Sequence, residues 1–282
     1  MGKTSKDYLS EVLRVNLTDT EYEWLTTAVE KILDSRSKKE LYITYSLSTS
    51  KIQDRPITDF GEKDFAWKTY LELQEASTLE ISRIYLLIAA LQSDDNFLQP
   101  VQQLIQVADK TELETFLKYL ILLPNAEHFK FVAVEALRTN IANVFNAISQ
   151  NNPYPSKFFE TEEWNQMYLK AAFMQQNLKK IPEIDTMANK ELARIISDYA
   201  HERWAASRSV DPLFWRPVSN FLDESLLKDI ERLFQSEDKR EQKAATLVCY
   251  NSESEKAKKL LNQYDTYFQA VENGDLNWKN IE

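Results

Sequence analysis

Apolar residues along this chain recur at three- and four-residue steps, the period of an amphipathic helix, over most of its length. Residues 19–34 show it plainly: Trp24, Leu25, Val29, Ile32 and Leu33 make one stripe, and Thr18 with Glu21 three residues on has the form of a capping box. Residues 5–15 carry the same period. The stretch 79–92 is apolar on nearly every face, which predicts a central helix buried all round. Its longest apolar run, Ile84 to Leu91 with Tyr85 inside it, is too short to span a bilayer. Further helices are predicted over 62–74, over 97–108, and behind Thr111 and Glu114 through FLKYLILL to Pro124.

In the second half a long helix is predicted from a cap at Asn125 to about Gln150, where Asn151-Asn152-Pro153-Tyr154-Pro155 ends it. Helices follow over 162–177, starting at Thr161, and from Asn189 to about Ser207, with Pro182 breaking the chain between them. Asp211-Pro212 opens a short turn that Pro217 closes. The tail reads as helices over 224–235, 238–250 and 253–272, with Ser236 and Ser252 at starts. Residues 38–50, KKELYITYSLSTS, have strand-like content but no second strand to pair with, so they too are predicted helical. The expectation is an all-α fold of about twelve helices in a right-handed, solenoid-like array of HEAT- or TPR-like pairs. One domain spans 1–282, in sections 1–125, 126–217 and 218–282.

Composition narrows the function classes. Glycine occurs at only Gly2, Gly61 and Gly274. Primed hairpin turns and phosphate-cradling loops need it, so β-rich folds, Rossmann units and P-loops are disfavoured together. A formal net charge of -10 disfavours nucleic-acid binding and docking on anionic lipid. The sole cysteine, Cys249, excludes an internal disulfide and a multi-cysteine zinc site, and its helical setting reads as core. MGKTSKDYLSEVLRV contains no secretory apolar core, and Lys6 stands where a myristoylation signal needs Ser or Thr. These features predict a cytoplasmic protein without membrane insertion, nucleic-acid partner or cofactor.

The polar groups that stand out lie between Arg138 and Pro217. Glu135, Thr139, Asn143 and Asn146 follow helical spacing, with Arg138 and Asn140 on flanking faces. Asparagine competes for backbone hydrogen bonds and is a poor helix former, so three within seven residues call for a reason. Either their amides enter a pocket, or they face water and bridge helix ends around the NNPYP turn. Further on, Arg194, Asp198 and Glu202 are four apart, with His201 three beyond Asp198. Asp198, His201 and Glu202 so spaced suit acid/base work or a divalent metal, while an Arg194–Asp198 ion pair with His201 on a backbone carbonyl is the structural alternative. Trp164, Tyr168, Phe173, Trp204, Phe214, Trp215 and Tyr154 surround this set in sequence. Such aromatics form core or wall a pocket in which Lys170 and Arg203 anchor an acidic group.

RTN at 138–140, NNPYP at 151–155, WNQ-x-x-LKA at 164–171, DYAHERWAA at 198–206 and LFWRPV at 213–218 resemble the EboA family, and SEDKREQKAATLV resembles the HEAT-like repeat that ends its members. The resemblance marks 126–217 as the EboA-like core. It implies association with bacterial gene clusters that make or export secondary metabolites. It also implies a helical scaffold that binds a small metabolite or a protein partner from the same cluster, with no assigned catalytic residue. The ligand-binding candidates are Arg138, Asn140, Asn143, Asn152, Tyr154, Asn165, Lys170, Asp198, His201, Glu202 and Arg203. The alternative is an enzyme on a small organic substrate using Asp198, His201 and Glu202.

Overall fold

A computed structural model of the chain describes residues 4–61 and 65–281. Every regular element among them is helical, and the only β-type pairing is an isolated bridge between Pro56 and Ser77. No helix is long and apolar enough to cross a membrane among the described residues. The contacts divide the chain into two compact units, 1–154 and 155–282.

The first unit begins with α1 (Ser5–Asn16), α2 (Asp19–Ser35), α3 (Lys38–Lys51), α4 (Phe65–Leu73) and α5 (Thr78–Ser93). It continues with α6 (Leu98–Gln106), α7 (Lys110–Tyr119), α8 (Lys130–Ala136) and α9 (Ala142–Ser149). Every residue of α5 from Ile81 to Leu91 is buried, and α1, α2, α3 and α7 pack around it. The strand-like 38–50 is helical because α2 and α5 offer it an apolar seat. Leu41, Thr44, Tyr45 and Ser48 bury one helical face there. Buried charges in this unit are paired, as they must be away from water. Arg83 gives Nη2 to Glu112 at 2.9 Å and Nε to Ser48 at 3.2 Å, with its guanidinium over the Tyr45 ring. Glu80 accepts from Lys118 Nζ and Tyr119 at 2.9 and 3.0 Å.

Several predicted boundaries move, each for a local reason. The box before α7 is Asp109 with Glu112, not Thr111 with Glu114. The predicted 62–74 helix is described from Phe65; its first three positions lie outside the described residues, as does Gly2. The single helix expected over 126–150 is two. Asn125 is left-handed at φ 50°, a 3-10 turn follows over Ala126–Phe129, and the chain leaves the helix between α8 and α9. There the Thr139 hydroxyl accepts from the Ile141 N–H at 3.1 Å, a local bond that competes with the helical ladder.

The second unit follows a short helix α10 (Tyr154–Phe158), with Pro155 in its first turn, where a missing N–H does no harm. Then come α11 (Thr161–Phe173), α12 (Ile184–Met187), α13 (Lys190–Ala205), a 3-10 segment over Pro212–Val218 and α14 (Glu224–Phe234). The chain closes with α15 (Lys239–Tyr250), α16 (Glu255–Gln263) and α17 (Phe268–Glu272). The predicted 162–177 helix stops at Phe173 because Gln175 turns left-handed at φ 56° and the Gln176 N–H returns to Ala171. The predicted 253–272 helix is split by the 3-10 turn Asp265–Tyr267. Asp238 caps α15, and Ser254 holds the cap position of α16 without a side-chain bond. Ser236 and Ser252 instead make turn bonds one step earlier. Helices α14, α15 and α16 pack against one another in sequence order, and α15 also packs on the Pro212–Val218 segment. Cys249 is buried on α15, and that burial pushes its thiol up to about 12.

Candidate ligand-binding site

In the first unit the predicted polar set separates into surface and bolt. Arg138 is exposed and pairs with Glu135 at 2.9 Å; Asn140 and Asn143 are exposed as well. Asn152 is fully buried. Its amide donates to the carbonyls of Leu117 and Ala147 at 2.9 and 2.8 Å, and its oxygen accepts from the Tyr154 N–H at 3.0 Å. The Tyr154 hydroxyl donates to the Ala126 carbonyl at 2.8 Å. Asn151, left-handed at φ 51°, sends its amide to the Leu73 carbonyl, and Gln74 answers with a bond to the Asn151 carbonyl. The NNPYP break therefore fastens α9 to the ends of α4 and α7 by satisfying carbonyls that the helices leave open.

In the second unit Asn165 and Asn189 exchange amide bonds at 3.2 and 2.8 Å while Asn189 caps α13 through the Leu192 N–H. Buried Tyr168 donates to the Leu213 carbonyl and stacks on Phe214 at 5.4 Å. Lys170 is half-buried, and desolvation lowers its ammonium below the usual lysine range. Trp164 is core, but Phe173, placed with it on one stripe, is exposed.

Helix α13 does not gather Asp198, His201 and Glu202. Asp198 accepts from Arg194 at 2.6 Å, and Glu191 takes the other edge of that guanidinium at 2.5 Å. Glu202 faces solvent. The His201 ring nitrogen Nε2 lies 2.6 Å from Asp229 of α14, in place of the backbone carbonyl expected for it, and the Ser197 hydroxyl donates to the other Asp229 oxygen at 2.6 Å. Asp229 is 4% exposed, so one buried carboxylate orients both groups across the α13–α14 contact. Sequence reasoning missed it. The signal was a carboxylate within the apolar stripe Leu226, Ile230, Leu233, where only a partnered charge is tolerated. One turn along, the Arg232 guanidinium sits 4.1 Å from the Trp204 ring centroid, and Trp204 stacks with Trp215 at 5.7 Å. Among the described residues no group of three or more His, Cys, Asp or Glu is placed to hold a metal ion.

Cavities open beside these elements, three of them formed by described residues of the second unit. One of about 350 Å3 lies along the first half of α13 and the approach to α14, lined by Lys190, Arg194, Ser197, Asp198, Phe221 and Leu226 among others. One of about 300 Å3 lies at Asp185, Arg216, Asn251 and Trp278. The third, also about 300 Å3, sits where α11 and α13 end and α15 begins; Arg203, which gives Nε and Nη2 to the Ser209 carbonyl at 3.1 and 3.0 Å, stands in its wall. These volumes reach the lower end of the small-ligand range. The family described as metabolite traffic protein EboA matches residues 5–219. The chain belongs to the EboA family. Neither curated proteins nor solved structures give a match. The EboA match contains all of α13 and its turn to Val218, but ends before α14 and α15. Asp229 and the α15 wall of the third cavity therefore lie beyond it.

Proposed function

We propose that this EboA chain is a non-catalytic helical binding protein of metabolite traffic, holding a small metabolite or a partner protein and working without a cofactor in a bacterial cytoplasm. The family description supports the metabolite role. One observation carries the binding reading: cavities of ligand size lie beside α13, while the acid/base candidates on that helix are separately engaged or turned to solvent. Within the second unit, the Asn165–Asn189 exchange and the Tyr168 bond to the Leu213 carbonyl tie α11, α13 and the Pro212 turn together beside these cavities, which lowers the ordering cost of binding.

Native mass spectrometry of protein purified without chelator tests this. The expected result is a retained small-molecule adduct or a stoichiometric protein partner. A bare chain, still bare after incubation with a cell metabolite extract and with no partner captured, would refute it.

The second reading, an enzyme using Asp198, His201 and Glu202, draws support from the His201–Asp229 pair, since a buried carboxylate that orients an imidazole is a familiar proton-transfer arrangement. Stoichiometric metal that Asp198→Ala removes would favour it over binding alone.

A further inference from the structure

The three cavities differ in how their arginines are engaged. Along α13, Arg194 is clamped between Glu191 and Asp198. In the cavity at Trp278, Arg216 grips Asp185 through Nε and Nη2 at 2.8 and 2.5 Å. The cavity at the start of α15 holds two guanidiniums, Arg203 and Arg240, and two carboxylates, Asp211 and Asp238. There the closest opposite pair, Arg240 Nη2 and Asp211 Oδ1, stands 3.7 Å apart, beyond a hydrogen bond.

The chain nevertheless fixes three of these four groups, Arg203, Asp211 and Asp238, in place. Arg203 spends Nε and Nη2 on the Ser209 carbonyl, which orients the guanidinium and leaves further N–H groups of its fork. Asp211 caps the Pro212 turn through Oδ1, and Asp238 caps α15 through Oδ1. A carboxylate accepts about four hydrogen bonds, so each retains an unused oxygen. Tyr199 adds a hydroxyl with no partner among the described residues, and buried Val210 and Pro212 supply an apolar wall. The formal charges cancel. A simple anion meets two fixed carboxylates here, and a simple cation meets two guanidiniums, that of Arg203 fixed and that of Arg240 partly exposed; a molecule carrying both charges meets a complement for each.

We infer that this cavity binds a small ammonium–carboxylate zwitterion of the amino-acid class, its carboxylate on Arg203 and Arg240 and its ammonium on Asp211 and Asp238. The assignment rests on the binding reading above and names the ligand chemistry for one of its cavities.

Isothermal titration calorimetry of the full chain with each common amino acid in turn, and with acetate and methylammonium as single-charge controls, tests it. Asp238→Asn and Arg240→Gln are the variants, because asparagine caps a helix as well as aspartate and Arg240 is partly exposed, so both should fold. The expected result is saturable binding of at least one amino acid with Kd at or below about 1 mM, tenfold or more weaker in each variant, and weaker for both controls. Absence of saturable binding by every amino acid, affinity unchanged in both folded variants, or acetate binding as tightly as the best amino acid would each overturn it. Native mass spectrometry separates the two levels. Failed titrations with another metabolite retained sink the zwitterion assignment alone, whereas failed titrations with a bare, partnerless chain sink the binding reading too.

Discussion

Replacing Glu21 with Gln tests how the first unit is tied together. Glu21 sits in the first turn of α2 with its carboxylate nearly buried. It accepts from Arg55 Nη1 and Nη2 at 3.0 and 2.6 Å, from the Gln53 N–H at 2.9 Å, and from the Thr18 N–H and hydroxyl at 2.8 and 2.9 Å. The Arg55 bonds, outweighing burial, hold its carboxyl down at about 2 against an ordinary 4.5. That gap, at roughly 1.36 kcal/mol per pH unit, corresponds to an order of 3 kcal/mol of folding free energy. Because the folded value is depressed, the contribution is fully present above the ordinary carboxylate range and is lost as pH falls towards 2. Glu21→Gln should therefore be destabilised by roughly 2–3 kcal/mol at pH 7, with the gap to wild type narrowing steadily below about pH 4.5. Urea unfolding followed by far-ultraviolet circular dichroism across this range reads it directly. A gap that stays constant with pH, or one below about 0.5 kcal/mol at pH 7, would refute the reasoning.

Other perturbations probe other fasteners. Asp229→Ala leaves Ser197 and His201 without their shared acceptor and should cost about 2–3 kcal/mol; a melting temperature equal to wild type would show the pair to be incidental. Asn152→Ala removes two donations and one acceptance at a fully buried site, for an expected loss of about 2–4 kcal/mol by denaturant titration. Cys249 should resist thiol reagents in the folded chain and react on unfolding; because burial raises its folded value to about 12, its contribution to stability is kept below its ordinary value near 9 and lost as pH rises between the two. Rapid labelling of the native chain would contradict that burial.

How much was legible depended on whether a pattern is local. The all-α class, the burial of α5, the Thr18–Glu21 box, the Asn189 cap and the Asp211-Pro212 turn were all readable, because each needs only neighbouring residues. The candidate site was legible in residue type more than in role. Asn152, Tyr154 and Asn165 were singled out as ligand candidates and are found buried in bonds to the chain itself, whereas Asn140 and Asn143 face solvent. His201 was singled out with Asp198 and Glu202 because sequence distance stands in for spatial distance only within one helix. Its actual partner, Asp229, is on the next long helix, where no spacing rule reaches.

By itself, the sequence determined a helical chain with few glycines, its main caps and breaks, and its membership of the EboA family over residues 5–219. Only tertiary structure decided which polar side chains are fasteners. It also decided where the 126–150 helix gives way and which charged groups share a cavity wall. The reason is physical. Helical periodicity and capping are set by residues three or four apart, but the fate of a buried polar group is set by whichever distant carbonyl or carboxylate the fold brings to it.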